Sequence, residues 1–158
     1  MRTCPTCGQR SLRLVVLHDH EVLVQEAQPV RGDDGKFRLV PVVVEEYLVT
    51  QCENSDCGEL LLDLVSDRQA QEARCRHFEM LSARQLSYRR RTIGVTTSRL
   101  CLASGVAQGI IERIESERQY MTADISKLLS DALDALEEAL KAVPIAPLEH
   151  FLRSTEED

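Results

Sequence analysis

Two tight cysteine pairs, one at each end of an apolar stretch, constrain this chain more than any other feature. "CPTCG" sets Cys4 and Cys7 ahead of a glycine, and "CENSDCG" sets Cys52 and Cys57 ahead of another. Structural zinc takes four soft ligands in a tetrahedron, and a chain supplies them simply as two turns that each carry two thiolates. In a C-x2-C turn both sulfurs face one point, and the glycine after it lets backbone amides approach them. The wider second loop, with four residues between its cysteines, is still within the range of zinc ligands. A redox dithiol or free thiols are the alternative reading. His18 and His20 lie two apart in a strand-like segment, so they are expected on one face, where they are the substitute ligands. Cys101, at an apolar helical position, reads as a small core residue, and Cys75, between Arg74 and Arg76, as a packed or a free thiol.

The rest of the chain divides by pattern. Residues 12–50 are rich in Val and Leu and read as strands, "LRLVVLH", "EVLVQEA" and "KFRLVPVVVEEYLVT", with the "DDG" of "RGDDGK" as a hairpin turn and Pro41 marking an edge or bulge. From Asp67 the composition turns to Arg, Gln, Glu, Ala and Leu, which favours helices. Residues 80–94 read as a helix ended by Gly94, and a helix of barely two turns follows, capped by Thr96 or Thr97 and ended by Gly105. Next comes "VAQGIIERIESE", with Ile110, Ile111 and Ile114 on one face. A long amphipathic helix capped by Thr122 then runs through Ile125, Leu128, Leu129, Leu133, Leu136 and Leu140 to Pro144. The expected class is α+β. A zinc-bound antiparallel β domain (1–66) leads through a helical linker (67–79) to an all-α domain (80–158) with a C-terminal dimerisation tail, whose apolar stripe is Ile145, Leu148, Phe151 and Leu152.

The formal charge of −7 hides a segregation. Between residues 68 and 118 ten arginines face five glutamates, whereas residues 1–60 carry ten acids against six bases. A basic middle in an acidic chain suggests that one region meets a polyanion and the others do not. No apolar run reaches the roughly 18 residues a membrane span needs, and the start lacks the apolar core of a secretion signal, so the cytoplasm is expected. There, paired cysteines are more often ligands than disulfides. No cluster of catalytic residues appears, and four thiolates around a metal leave no open coordination position, so an enzyme is not expected.

The stretch "GVTTSRLCLASGVAQGIIERIESERQYMTADISKLLSDAL" resembles the Xre or lambda-repressor-like helix-turn-helix family. In that likeness Ser104-Gly105-Val106 is the turn and the isoleucine-bearing helix is the recognition helix. Where the family commonly has a glycine after "RIE", this chain has Glu117. With the isoleucines buried, Gln108, Gly109, Glu112 and Arg113 would face a major groove. Gln108 would bond adenine bidentately and Arg113 would reach guanine or phosphate. Glu112 would accept from cytosine or else orient Arg113. Thr97 at a helix N-terminus, with Arg99 and Arg118, would hold phosphates. Arg90 and Glu115 resemble the arginine and glutamate with which many family members lock two helices together.

Taken together, "CPTC", "CENSDC" and "SGVAQGIIERIE" make the chain resemble the MqsA-type antitoxins. That resemblance implies a metal domain that binds a small basic toxin protein. It also implies a helix-turn-helix that binds a palindromic operator in double-stranded DNA as a homodimer and represses its own promoter. The alternative is a stand-alone zinc-containing regulator of a phage, mobile-element or defence locus, with no toxin partner.

Overall fold

Valine- and leucine-rich segments at 12–25 and 39–52 form one long hairpin, seen in a computed structural model that describes residues 3–29 and 36–143. Strand β1 (Leu12–Gln25) pairs antiparallel with β2 (Leu39–Cys52), from Leu12 opposite Cys52 to Gln25 opposite Leu39. A short β3 (Leu60–Leu61) lies beside Thr50 and Gln51, giving the order β1-β2-β3. Most of the "RGDDGK" loop, and the apolar stripe after Pro144, lie outside the described residues.

Where two strands were expected in "LRLVVLHDHEVLVQ", there is one, and the reason is local. Asp19 adopts φ 48°, in the left-handed region, between His18 and His20. Side chains alternate across a strand, so such a residue switches the buried set from Val15 and Leu17 to His20, Val22 and Val24. The partner strand switches at the same level, from Val42 and Val44 to Tyr47 and Val49, across Glu45 and Glu46. Opposite residues therefore stay in step and the hairpin keeps one buried face. The two histidines do not share a face as expected: His20 stacks on Tyr47 with ring centroids 5.5 Å apart, while His18 is exposed. Pro41 sits where β2 has no second neighbour, since β3 reaches only Thr50 and Gln51, so its missing N–H costs no ladder bond.

Helix α1 (Leu64–His77) covers that buried face. It starts three residues before the composition shift, because Asp63 and Ser66 form a reciprocal capping box. Its alanines Ala70 and Ala73 let it approach Val24, Val42, Val44, Tyr47 and Val49 closely, and these seven form the sheet-side core. Gln69 seals the open edge of β2, accepting from the Leu48 N–H at 2.9 Å and donating to the Glu46 carbonyl at 3.4 Å. The opposite face of α1 buries Cys75 in a second, larger core with helices α2 (Ala83–Thr92), α3 (Thr97–Ser104), α4 (Gln108–Glu115) and α5 (Ala123–Lys141). Leu86, Leu100, Ile111, Ile114, Leu129 and Leu133 are fully buried there. The segment expected to be a linker, 67–79, thus forms the body of α1 and contributes side chains to both cores.

Arg74 ties the two cores together. Its guanidinium is fully buried with no carboxylate partner among the described residues; it donates to the Gln25, Glu26 and Met121 carbonyls at 2.5, 2.9 and 2.7 Å. Burial pulls its pKa below the usual arginine value, and the three carbonyls supply the hydrogen bonds that water would have given. Beside it the Ala123 N–H donates to the Ala27 carbonyl at 3.0 Å, which fixes the start of α5 to the end of β1.

Candidate metal centre and the surface of the short helix pair

The hairpin register brings the two cysteine turns together, because Leu12, just after the first, stands opposite Cys52 in the second. Ser11 and Glu53 stitch the turns at the base: the Glu53 N–H donates to the Ser11 carbonyl at 3.0 Å, and the Ser11 hydroxyl donates to the Glu53 carboxylate. Each turn is closed by a glycine in the left-handed region, Gly8 at φ 71° and Gly58 at φ 59°, a conformation that a side chain would strain. The four Sγ atoms lie within 4.8 Å of one another, with Cys4 to Cys57 at 3.7 Å and Cys7 to Cys52 at 3.5 Å. A zinc tetrathiolate with Zn–S of about 2.3 Å has sulfur–sulfur edges of about 3.8 Å. The observed spacings fit that tetrahedron and are far beyond a disulfide bond of about 2.05 Å.

Backbone amides complete the site. The N–H groups of Gln9, Asn54 and Glu59 each point at the sulfur two residues earlier, Cys7, Cys52 and Cys57. The Gln9 N–H pulls the Cys7 thiol down to about 7. At Cys57 the Glu59 N–H acts in the same direction, but burial and the neighbouring thiols outweigh it and push the group up to about 12. Cys52 is likewise raised, its Asn54 N–H outweighed by burial and by Cys7 and Cys4. Four thiolates cannot coexist this close without a cation, so the cluster can hold a metal ion. Among the described residues these four form the one such group, and neither histidine joins it. Cys75 lies buried in the helical core, where burial pushes its thiol up, and Cys101 packs against the same core half-buried.

On the helical side, α3 and α4 are joined through Gly105 at φ 73°, with Val106 buried at the corner. Thr96 is the cap of α3, accepting from the Arg99 N–H at 3.1 Å, which leaves Thr97 as the first helical residue. Gln108, Gly109, Glu112 and Arg113 lie exposed on α4, while Ile111 and Ile114 are fully buried on its other face. Arg99 and Arg118 are exposed as well, and Thr97 is half-buried. Arg113 donates through Nε to Gln119 Oε1 at 3.0 Å. Glu112, expected to read a base or to orient Arg113, instead accepts from Gln108 Nε2 at 2.8 Å.

Arg90 and Glu115 form a two-pronged ion pair at 2.6 and 2.9 Å, mostly buried, with the third donor on the Val95 carbonyl at 2.9 Å. Glu117, standing where the resemblance led us to expect glycine, adopts φ 61°. Two bonds from Arg68, both 2.7 Å, hold it there and keep its carboxyl below the usual carboxylate range. The basic middle is therefore partly spent inside the fold. Arg74 is buried, Arg68 and Arg90 are paired, and Arg89 bridges to Asp134 and Glu137. The Arg74 clasp has no local signal in the sequence, where Glu72 and Arg76 stand two residues to either side as they would around a solvated helical arginine.

The fold thus defines an α+β protein with a four-thiol centre at one end and a short helix pair with an exposed polar face at the other. Comparison with family models, curated proteins and solved structures finds no significant match to this chain. Among the described residues no helix is long and apolar enough to cross a membrane.

Proposed function

We propose that this chain is a sequence-specific DNA-binding repressor with a structural zinc ion on Cys4, Cys7, Cys52 and Cys57, and that it is the antitoxin of a cytoplasmic toxin-antitoxin operon. One observation carries the DNA-binding reading: two eight-residue helices meet at a left-handed glycine, with one side of the second buried and the other lined by Gln108, Gly109, Glu112 and Arg113. That is the arrangement in which a helix-turn-helix lays its second helix in a major groove. Thr97, Arg99 and Arg118 serve as phosphate contacts around it, and the Arg90–Glu115 pair fixes α4 against α2.

Zinc is the ion favoured by four thiolates in a closed tetrahedron, and its part is to hold the two turns together. The antitoxin half of the reading rests on the sheet. Leu14, Val16, Leu23, Leu39 and Val43 are exposed there, on a segment whose charge is acidic. An apolar strip with an acidic surround suits a basic protein partner, as an RNA-cleaving toxin would be.

The test uses the zinc-loaded full chain and the duplex upstream of its own coding sequence. A homodimer should protect an inverted repeat with half-sites about one helical turn apart, and affinity should fall steeply with salt. Equal affinity for that duplex and for random sequence would defeat the repressor reading. Co-expression with the neighbouring reading frame tests the partner. Growth arrest relieved by this chain supports the antitoxin, and a neighbour that is harmless and does not co-purify supports the stand-alone regulator.

A further inference from the structure

Gln108 was expected to offer an adenine both halves of its amide, but the side chain is already committed. Its Nε2 donates to Glu112 Oε1 at 2.8 Å and, more weakly, toward Thr97 Oγ1 at 3.4 Å. A carboxylate accepts only, so the group facing Glu112 has to be the amide nitrogen. Glu112 lies one helical turn after Gln108, the spacing at which side chains meet, so the bond belongs to the helix itself. Both hydrogens of the amide are then engaged by neighbouring side chains, one by Glu112 and the other, more weakly, by Thr97. Its oxygen accepts no hydrogen bond among the described residues, and Gln108 is exposed on α4, so the oxygen is the atom free to meet a ligand. Arg113, bonded to Gln119, does not draw Glu112 away.

We infer that Gln108, locked by Glu112, presents an acceptor alone to the major groove and so selects a base carrying an amino group, adenine or cytosine, without telling the two apart. The inference rests on the proposal that the chain binds duplex DNA through α4. In the major groove each base pair displays one exocyclic amine, on adenine N6 or cytosine N4, while guanine and thymine display a carbonyl at the corresponding place. An acceptor reads which strand bears the amine. Telling adenine from cytosine needs in addition a donor to adenine N7, which Gln108 lacks while its nitrogen is held. Glu112 is thus a positioning residue: it touches no base, and it widens the site from adenine to adenine-or-cytosine.

The experiment selects duplexes from a library randomised across the operator, using the zinc-loaded full chain and the variants Glu112→Ala, Glu112→Gln and Gln108→Ala. In the wild type, one position per half-site should accept adenine and cytosine within about threefold of each other and reject guanine and thymine by roughly 5- to 100-fold. Glu112→Ala frees the amide to rotate, so adenine should be preferred over cytosine by roughly tenfold or more at that position. Glu112→Gln keeps an acceptor beside Gln108 and should retain the double preference. Gln108→Ala should flatten the position. Both substituted residues are exposed, and unchanged thermal melting confirms that each variant folds. A wild-type preference for adenine alone, or a Glu112→Ala profile identical to the wild type, overturns this inference and leaves DNA binding standing. A wild type that selects no sequence overturns both.

Discussion

The two ends of the molecule are stabilised in different ways. At the helical end twelve buried side chains, from five helices and the turns between them, form a core that includes Leu86, Leu100, Ile111, Ile114, Leu129 and Leu133, enough apolar contact to hold without other help. The sheet end has seven, two of them alanines borrowed from α1, and its far turns at 4–11 and 52–59 carry almost no apolar contact except the thiols. Small units of this kind rely on a metal as a staple. The difference teaches where the seam lies. It does not fall between a β domain and an α domain, because α1 runs along the hairpin from the thiol end, with Gln69 at Leu48, to the helical end, with Arg74 at Gln25.

The strongest way to break this comparison is to remove the metal proposed for the four thiols. Chelation, or Cys52→Ser, should free the thiol end, with amide protection at residues 4–16 and 46–61 falling by roughly tenfold or more, while 22–27, 39–44 and the helices keep theirs. Global loss of protection would mean that the helical core depends on the metal, contrary to this reading. The pH dependence has a definite sign. Without metal, Cys57 is raised to about 12 and Cys52 is also raised, so both are protonated at pH 7, while Cys7, at about 7, is half ionised. A metal must displace those protons. Affinity should therefore increase with pH, steeply below about 7 and less steeply above it, and titration calorimetry in buffers of different ionisation heat should record proton release.

Arg74→Met is the next largest test, because it acts where the two ends join. It keeps the bulk of the side chain but leaves the buried Met121 carbonyl and the part-buried Gln25 and Glu26 carbonyls without their donor, at about 1–3 kcal/mol each where water cannot replace it. Some relaxation is expected, so a net loss of about 3–5 kcal/mol, or about 10 °C in melting temperature, should follow. Zinc content should not change. Should calorimetry show one unfolding transition for the wild type and two for Arg74→Met, the clasp is what makes the ends cooperative.

How much of this was readable from sequence depended on how far apart the interacting residues are. The metal turns, the glycine stops at Gly94 and Gly105 and the threonine cap of α5 are local chemistry, and they stand in the structure where the sequence placed them. The slip at Asp19 escaped because nothing in "HDH" announces a left-handed backbone, and the two half-patterns looked like two strands. Arg74 escaped for the opposite reason: an arginine in a basic run reads as solvated, and its three carbonyl partners are more than forty residues away in the chain. The Gln108–Glu112 bond spans a single helical turn, a spacing present in the sequence, but Glu112 was expected to meet cytosine or Arg113 rather than Gln108.

The Arg90–Glu115 pair sharpens the comparison within the helical end. Either alanine alone should cost about 2–4 kcal/mol, since the other charge is left half-desolvated, and the double variant should cost less than the sum by about 1–3 kcal/mol. Urea unfolding of the four-member cycle measures this. If Arg90→Ala instead leaves stability intact and lowers the salt dependence of DNA binding, Arg90 is a phosphate contact and the pair is incidental.

The smallest effect asks whether the exposed face of α4 is an interface at all. Gly109 has an ordinary helical backbone, and a Cβ there would meet only Arg113 Nη1 at 3.6 Å, an ordinary contact. Folding alone therefore gives no reason for glycine in the first turn of an eight-residue helix, and Gly109→Ala should stabilise the protein by about 0.5–1 kcal/mol through reduced backbone entropy in the unfolded chain. A glycine kept at that cost makes sense if another backbone or a base edge must come close. Gly109→Ala should accordingly melt higher and bind its operator about fivefold or more weakly. A variant that is both stabler and fully active on DNA would remove Gly109 from the interface and shift the contact toward Gln108 and the N-terminus of α3.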